Sequence, residues 1–117
     1  ESMHPDWPQP TVLELKGSHG DGKRVQAFDA RQVSGASVRQ AKPGDWIIPF
    51  GMTGSMSLAK YLGSRGVDRP FRRFWPVLAR GNEIIWAIGI GPSQTAAITP
   101  GTKQCICLAF DARLPDE

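Results

Sequence analysis

Four arginines, Arg65, Arg69, Arg72 and Arg73, fall within nine residues of this 117-residue chain. A guanidinium group donates two parallel hydrogen bonds to a phosphate and can stack on a base, so arginines in such a run point to anion recognition. From Lys60 to Arg80 there are six bases (Lys60, Arg65, Arg69, Arg72, Arg73, Arg80) against Asp68 alone, a local excess of five. Residues 1–59 carry six bases and six acids, and residues 81–117 carry two bases and four acids, so the whole-chain excess of +3 belongs to one segment. Phe71, Phe74 and Trp75 are interleaved with the arginines and give them a rigid base. A concentrated charge in an otherwise neutral domain attracts a polyanion. RNA fits better than duplex DNA, because nothing resembles a recognition helix for a major groove. The competing reading is a solvated face, with Asp68 pairing one arginine and the aromatic rings packing under the stems.

Other chemistry is poorly supported. The run GMTGSMS (51–57) has two glycines but neither the lysine nor the spacing of a phosphate-binding loop. In GIGPSQ (89–94), Pro92 follows the glycines at once and no helix opens, so both runs read as turns. His4 and His19 sit among prolines and glycines, and the acids are scattered, which leaves no catalytic or metal-ligating constellation. Cys105 and Cys107 are two apart; on a strand they share a face and close no useful loop, so they read as small buried apolar side chains. The chain is expected to bind rather than react, and a reducing cytoplasmic compartment fits its cysteine usage. No apolar run reaches the roughly 20 residues of a membrane span, the N-terminus lacks a signal pattern, and no membrane partner is expected. Beginning at Glu1 rather than Met, the chain reads as processed or excised from something longer.

The elements that must position the arginines are short. Ten prolines and thirteen glycines argue for many turns and short strands. Leu58, Tyr61 and Leu62 at i, i+3, i+4 spacing predict one helix, capped by Ser55 or Ser57 and ended by Gly63 or Gly66. Before it, Gly51 and Gly54 permit sharp turns or close approach of a partner. TVLEL (11–15) and VQAFDA (25–30) read as a hairpin around the glycine cluster 17–23. SVRQA (37–41) and WIIPF (46–50) follow as strands, with Pro49 near an edge and a turn at Lys42-Pro43-Gly44-Asp45 between them. The clearest hairpin is PVLAR, a turn at Gly81-Asn82, then EIIWAIG, apolar on more than one face and so central to the core. TAAIT (95–99) is a short strand candidate, and KQCICLAF (103–110) alternates as a strand. The reading is a leader over 1–10, one domain over 11–110 and a polar tail over 111–117. The fold class is α+β, mainly β: a small sandwich- or barrel-like domain with one short helix.

With these residues in order, the stretch KPGDWIIPFGMTGSMSLAKYLGSRGVDRPFRRFWPVLARGNEIIWAIG, closing with ITPGTK (98–103), resembles the C-terminal domain of bacterial tRNA(Ile)-lysidine synthetases. The resemblance covers about residues 38–110 through several motifs: Pro43-Gly44-Asp45, the Pro49–Ser55 run, the Arg69–Leu78 segment, the Gly81–Trp86 hairpin and Ile98–Lys103. It implies a domain similar to one in the β subunit of phenylalanyl-tRNA synthetase. It also implies a parent enzyme that ligates lysine to the wobble cytidine of an isoleucine tRNA with a CAU anticodon. The ATP and Mg sites of that reaction would lie in an N-terminal domain whose S-G-G-x-D-S signature this chain does not contain. On this resemblance the chain grips tRNA through Arg39, Lys42, Arg65, Arg69, Arg72 and Lys103, with Arg73 an additional charge; Lys60 joins them as a candidate from the local charge cluster, and Gly51 and Gly54 allow close approach. Where the family commonly reads G-M-K-G-S-K-K, Thr53, Met56 and Ser57 replace three bases; Gln94-Thr95-Ala96-Ala97 likewise lacks a familiar arginine. The alternative is an interdomain or dimerisation module without RNA contact, presenting the hairpin at 76–89 and the strand at 104–110 to other domains of the parent or a second copy.

Overall fold

The computed structural model describes the backbone of residues 12–15 and, with side chains, residues 25–110 and 114–115. The leader, the 17–23 loop, both histidines and most of the tail lie outside the described residues. Strands are β1 (Val12–Leu15), β2 (Val25–Asp29), β3 (Ser37–Gln40), β4 (Trp46–Ile47), β5 (Met56–Ser57), β6 (Pro76–Arg80), β7 (Glu83–Ala87), β8 (Gly91–Pro92) and β9 (Cys105–Phe110). Helix α1 spans Leu58–Ser64, and a single turn, α2, spans Arg69–Arg72. The domain is thus mainly β, with two short helices rather than the one expected. Four residues with a proline at the start give too little periodicity to announce a helix.

A six-stranded mixed sheet, in order β3-β6-β7-β4-β5 with β8 also on β7, forms the central layer. Its two broad faces bury different things. Val77, Ala79, Ile84 and Ala87 meet Leu58, Tyr61 and Leu62 of α1, while Leu78, Ile85 and Trp86 meet Phe28, Leu108 and Phe110 from a three-stranded sheet. The β6–β7 hairpin is central, as its composition predicts. Its irregular pattern has a local cause: the register slips between Leu78 and Ala79, so Ile85 is an extra residue and joins Trp86 in the same cluster.

The expected β1–β2 hairpin is corrected. The small sheet has the order β1-β9-β2, so β9 lies between the two and pairs antiparallel with both. The turn-rich run 17–23 signals a reversal but says nothing of partner choice, and a strand from the far end of the chain takes the place. The TAAIT candidate is also not a strand; the chain pairs earlier, through β8, and then turns. On β9, Cys107 is buried but Cys105, at the strand's start, is exposed.

Candidate nucleic-acid interface

The site begins with a turn. Pro43 and Gly44 occupy the middle of Lys42–Asp45, Gly44 has φ +89°, and Asp45 N–H donates to Lys42 O at 3.2 Å, a type II geometry in which glycine is the natural third residue. The Asp45 carboxylate then locks the turn. It accepts from both Arg39 Nη atoms at 2.8 Å, from Lys42 N–H at 2.8 Å and from Asn82 Nδ2 at 3.0 Å. Burial alone would raise the pKa of this carboxyl, but those three donors and the Arg39 charge outweigh it and hold it below the ordinary value.

Hydrogen bonds at this turn and in the elements beside it fix its surroundings. Leu58 N–H donates to Asp45 O at 2.9 Å and seats the start of α1 beside the turn. Ser57 caps α1 by accepting from Lys60 N–H, which selects it over Ser55. At the other end Gly66, φ +89°, follows the helix, whereas Gly63 lies inside it. Ala41 N–H donates to Trp75 O at 2.9 Å and ties the turn to the end of the arginine run. Trp75 is itself fixed: it is buried, and its Nε1–H donates to Ile88 O at 2.7 Å. Finally Arg72 Nε donates to Val67 O at 2.8 Å, holding α2 against the C-terminal end of α1.

Between these elements lies a cavity of about 400 Å³, lined by Ala41, Lys42, Pro43, Leu58, Ala59, Arg69, Arg72 and Arg73. Four cations from two separate stretches of sequence therefore border one recess. None of the four forms an ion pair with a carboxylate among the described residues, Asp68 included. Arg69 and Arg73 are exposed, and the Arg73 guanidinium sits over the Phe74 ring at 5.2 Å.

The other candidate residues fall elsewhere. Arg39 is occupied within the domain: besides its bidentate pair with Asp45 it donates to Gln40 O and Gly81 O, and only 18% of its side chain is exposed. Arg65 is exposed but lies over the Tyr61 ring at 5.0 Å, outside the cavity lining. Lys60 and Lys103 are exposed and do not line it either; Lys103 follows a turn in which Thr102 donates to Asp29 of β2. Gly51 has φ +84°, which calls for glycine, but its N–H donates inward to Gln94 Oε1 at 2.7 Å. Gly54 faces open space. Arg80 belongs to the scaffold, donating to Gln32 O and Ser34 O and pairing with Glu83 at 3.5 Å. The apolar lining (Ala41, Pro43, Leu58, Ala59) went unread in the sequence. The one available signal was an alanine, Ala59, placed between helix-face Leu58 and Lys60.

A family model described as the TilS substrate C-terminal domain matches residues 36–108. A tRNA(Ile)-lysidine synthase of Clostridium perfringens is 32% identical over 89 residues, covering 76% of this chain and 19% of that protein. One from Shouchella clausii is 38% identical over 85 residues, covering 71% of this chain and 17% of that protein. The chain thus spans about a fifth of the length of the curated relatives it matches. Among solved structures, a TilS C-terminal domain superposes with a TM-score of 0.64 at 24% identity, over 88% of this chain and 81% of that one. An N-terminal fragment of the phenylalanyl-tRNA synthetase β subunit from Pyrococcus horikoshii gives 0.63 at 16% identity, over 92% and 40%. Both share the fold, as the sequence resemblance led one to expect. With its family model matched over more than half its length, the chain belongs to the TilS substrate C-terminal domain family.

Proposed function

We propose that this chain is the tRNA-gripping domain of a tRNA(Ile)-lysidine synthase, and that Lys42, Arg69, Arg72 and Arg73 hold the phosphate backbone. The observation that carries this reading is their convergence on one recess with no carboxylate among the described residues paired to any of them. A cation already neutralised inside the domain has little to offer an incoming phosphate, whereas these release counterions when RNA binds. Arg65, Lys60 and Lys103 are exposed and do not line the recess. Chemistry on the wobble cytidine of an isoleucine tRNA, and the ATP and Mg it uses, would reside elsewhere in such a protein. The described residues gather no group of three His, Cys, Asp or Glu side chains, and no ATP or metal step is assigned to them.

The test is fluorescence anisotropy with an isoleucine tRNA bearing the CAU anticodon, over a series of salt concentrations. Changing Arg69, Arg72 and Arg73 together to Ala should weaken binding at least about tenfold. It should also flatten the slope of log K against log salt by about 2–3, at roughly 0.7–0.9 per phosphate contact. Unchanged affinity and slope in the triple variant overturn the assignment.

One observation favours a second reading, an interdomain or dimerisation module. Phe50 and Met52 are 61% and 51% exposed on a loop that is braced rather than loose: Phe50 N–H donates to Pro92 O, Gln94 N–H to Ile48 O, and Gly51 N–H to the Gln94 side chain. The surfaces first considered for that role are unsuitable. The 76–89 hairpin is buried on both faces, and β9 is flanked by strands on both edges. No tRNA binding at any salt, together with a stable homodimer in sedimentation that Phe50→Ser disrupts, would replace the first reading with this one.

A further inference from the structure

The recess has a chemistry that phosphate binding alone does not explain. Backbone phosphates need only the cations, yet the recess is also lined by Ala41, Pro43, Leu58 and Ala59, which offer no side-chain hydrogen-bonding group. At about 400 Å³ it falls within the roughly 300–1,000 Å³ range of small-molecule sites and is large for a phosphate oxygen. The occupant that fits a recess lined by both apolar side chains and cations is a flat, uncharged heterocycle joined to anions. Resting on the backbone-binding reading above, we propose that the cavity receives one unpaired nucleobase of the bound RNA. Its neighbouring phosphates are held by Lys42 on one wall and by Arg69 and Arg73 on the other.

The architecture supports this division of labour. Lys42 stands on a turn locked by Asp45, and the opposite wall is held by the Arg72–Val67 bond, so the two sides keep a fixed separation before RNA arrives. Such a recess saves the cost of ordering it on binding. Unstacked bases in single-stranded RNA are commonly received against side-chain planes, guanidinium included. The lining side chains carry hydrogen-bond donors, on Lys42, Arg69, Arg72 and Arg73, and no acceptor. They can therefore grip a base by shape and stacking while reading little of its identity, and the domain should prefer RNA with an unpaired segment over a perfect duplex, with weak dependence on which base is unpaired.

Three fluorescein-labelled RNAs test this with the unaltered chain: a blunt hairpin, the same hairpin with an unpaired 3′ extension, and one whose extension has the same phosphates but abasic sugars. The unpaired extension should strengthen binding about tenfold over the blunt stem, and the abasic extension should lose most of that gain. Ala59→Leu adds volume to the cavity without changing charge. Ala59 is exposed on α1, where leucine is a good helix former, so the variant should fold. It should cancel the gain from the extension, so that intact, abasic and blunt RNAs bind it alike. Equal affinity for the intact and abasic extensions overturns the base pocket, and this arm needs no variant. So does an Ala59→Leu protein that still gains from the intact extension. Arg69→Ala/Arg73→Ala separates the two levels of the argument. If it weakens all three RNAs while intact and abasic extensions bind alike, backbone gripping stands and only the base pocket falls. If it binds all three like the parent protein, the backbone reading falls as well.

Discussion

Arg39 and the Arg69–Arg73 group share a residue type and a predicted role, yet the structure uses them in opposite ways. Arg39 is folded over a buried carboxylate and two backbone carbonyls, and its charge is spent holding the 42–45 turn. Arg69, Arg72 and Arg73 face a recess and pair with no carboxylate among the described residues. Among the described residues they are anchored by one bond from Arg72 to a carbonyl and a ring beneath Arg73. The difference teaches that an arginine's partner, and not its presence, decides whether it is scaffold or interface. Arg39 nevertheless serves the interface at one remove, because the turn it locks presents Lys42 to the same recess.

The largest expected effect therefore belongs to Arg39. Arg39→Ala leaves the Asp45 side chain, which is fully buried, without its counter-charge. Breaking a buried pair from one side costs about 3–5 kcal/mol, to be read from urea denaturation at neutral pH. The triple change at Arg69, Arg72 and Arg73 should stay within about 1–2 kcal/mol of the parent, since only one hydrogen bond is lost. Equal destabilisation by the two variants would erase the contrast. The acid limb sharpens it. Asp45 has a depressed pKa in the folded state, so its contribution is complete above the unfolded-state value near 3.8 and is lost as pH falls through the lower folded value. Arg39→Ala should flatten that loss of stability in acid, and the triple change should not.

Next in size is Gly91→Ala. Tyr61 carries α1 onto the sheet, and its hydroxyl oxygen lies 2.7 Å from where a Cβ on Gly91 would stand. A tyrosine ring held in the core cannot swing aside, so the helix must shift, at about 1–3 kcal/mol by analogy with overpacked cores. Because α1 also supplies Leu58 and Ala59 to the recess, this variant should lose RNA affinity as well as stability. Anisotropy and a thermal melt on the same sample check whether the two losses travel together. Burial holds the Tyr61 phenol above its ordinary pKa, partly opposed by the Arg65 charge, consistent with a side chain committed to packing.

How much of this could be read beforehand depended on how local the cause was. The β6–β7 hairpin, the Pro43-Gly44 turn and the apolar face of α1 follow from adjacent residues, and each stands where sequence placed it. The partner of β1 was not legible, because β9 is some ninety residues away in the chain and the turn cluster at 17–23 advertises only a reversal. The arginine run was legible as charge. Its division into scaffold and interface was not, since the Arg39–Asp45 pair spans a turn and Lys42 joins Arg69 only after α1 and Trp75 have been seated. Family resemblance supplied the tRNA expectation but treated Arg39 and Arg69 alike. Their partners distinguish them: Arg39 pairs with Asp45, and Arg69 with no carboxylate among the described residues.

The smallest effect is the most discriminating. Gly63 sits inside α1, and a Cβ there would lie 2.9 Å from the Arg72 guanidinium carbon, the far end of a flexible side chain. Gly63→Ala removes an unfavourable helix-interior glycine, worth up to about 1 kcal/mol, but pushes Arg72 off Val67 O, a hydrogen bond worth about 0.5–1.5 kcal/mol. The two nearly cancel, so the melting temperature should hardly move. RNA affinity should nevertheless fall severalfold, because the wall that Arg72 forms is no longer held in place while every charge is retained. If affinity is unchanged, the fixed position of Arg72 is dispensable, and the recess works through Lys42, Arg69 and Arg73 as freely moving charges.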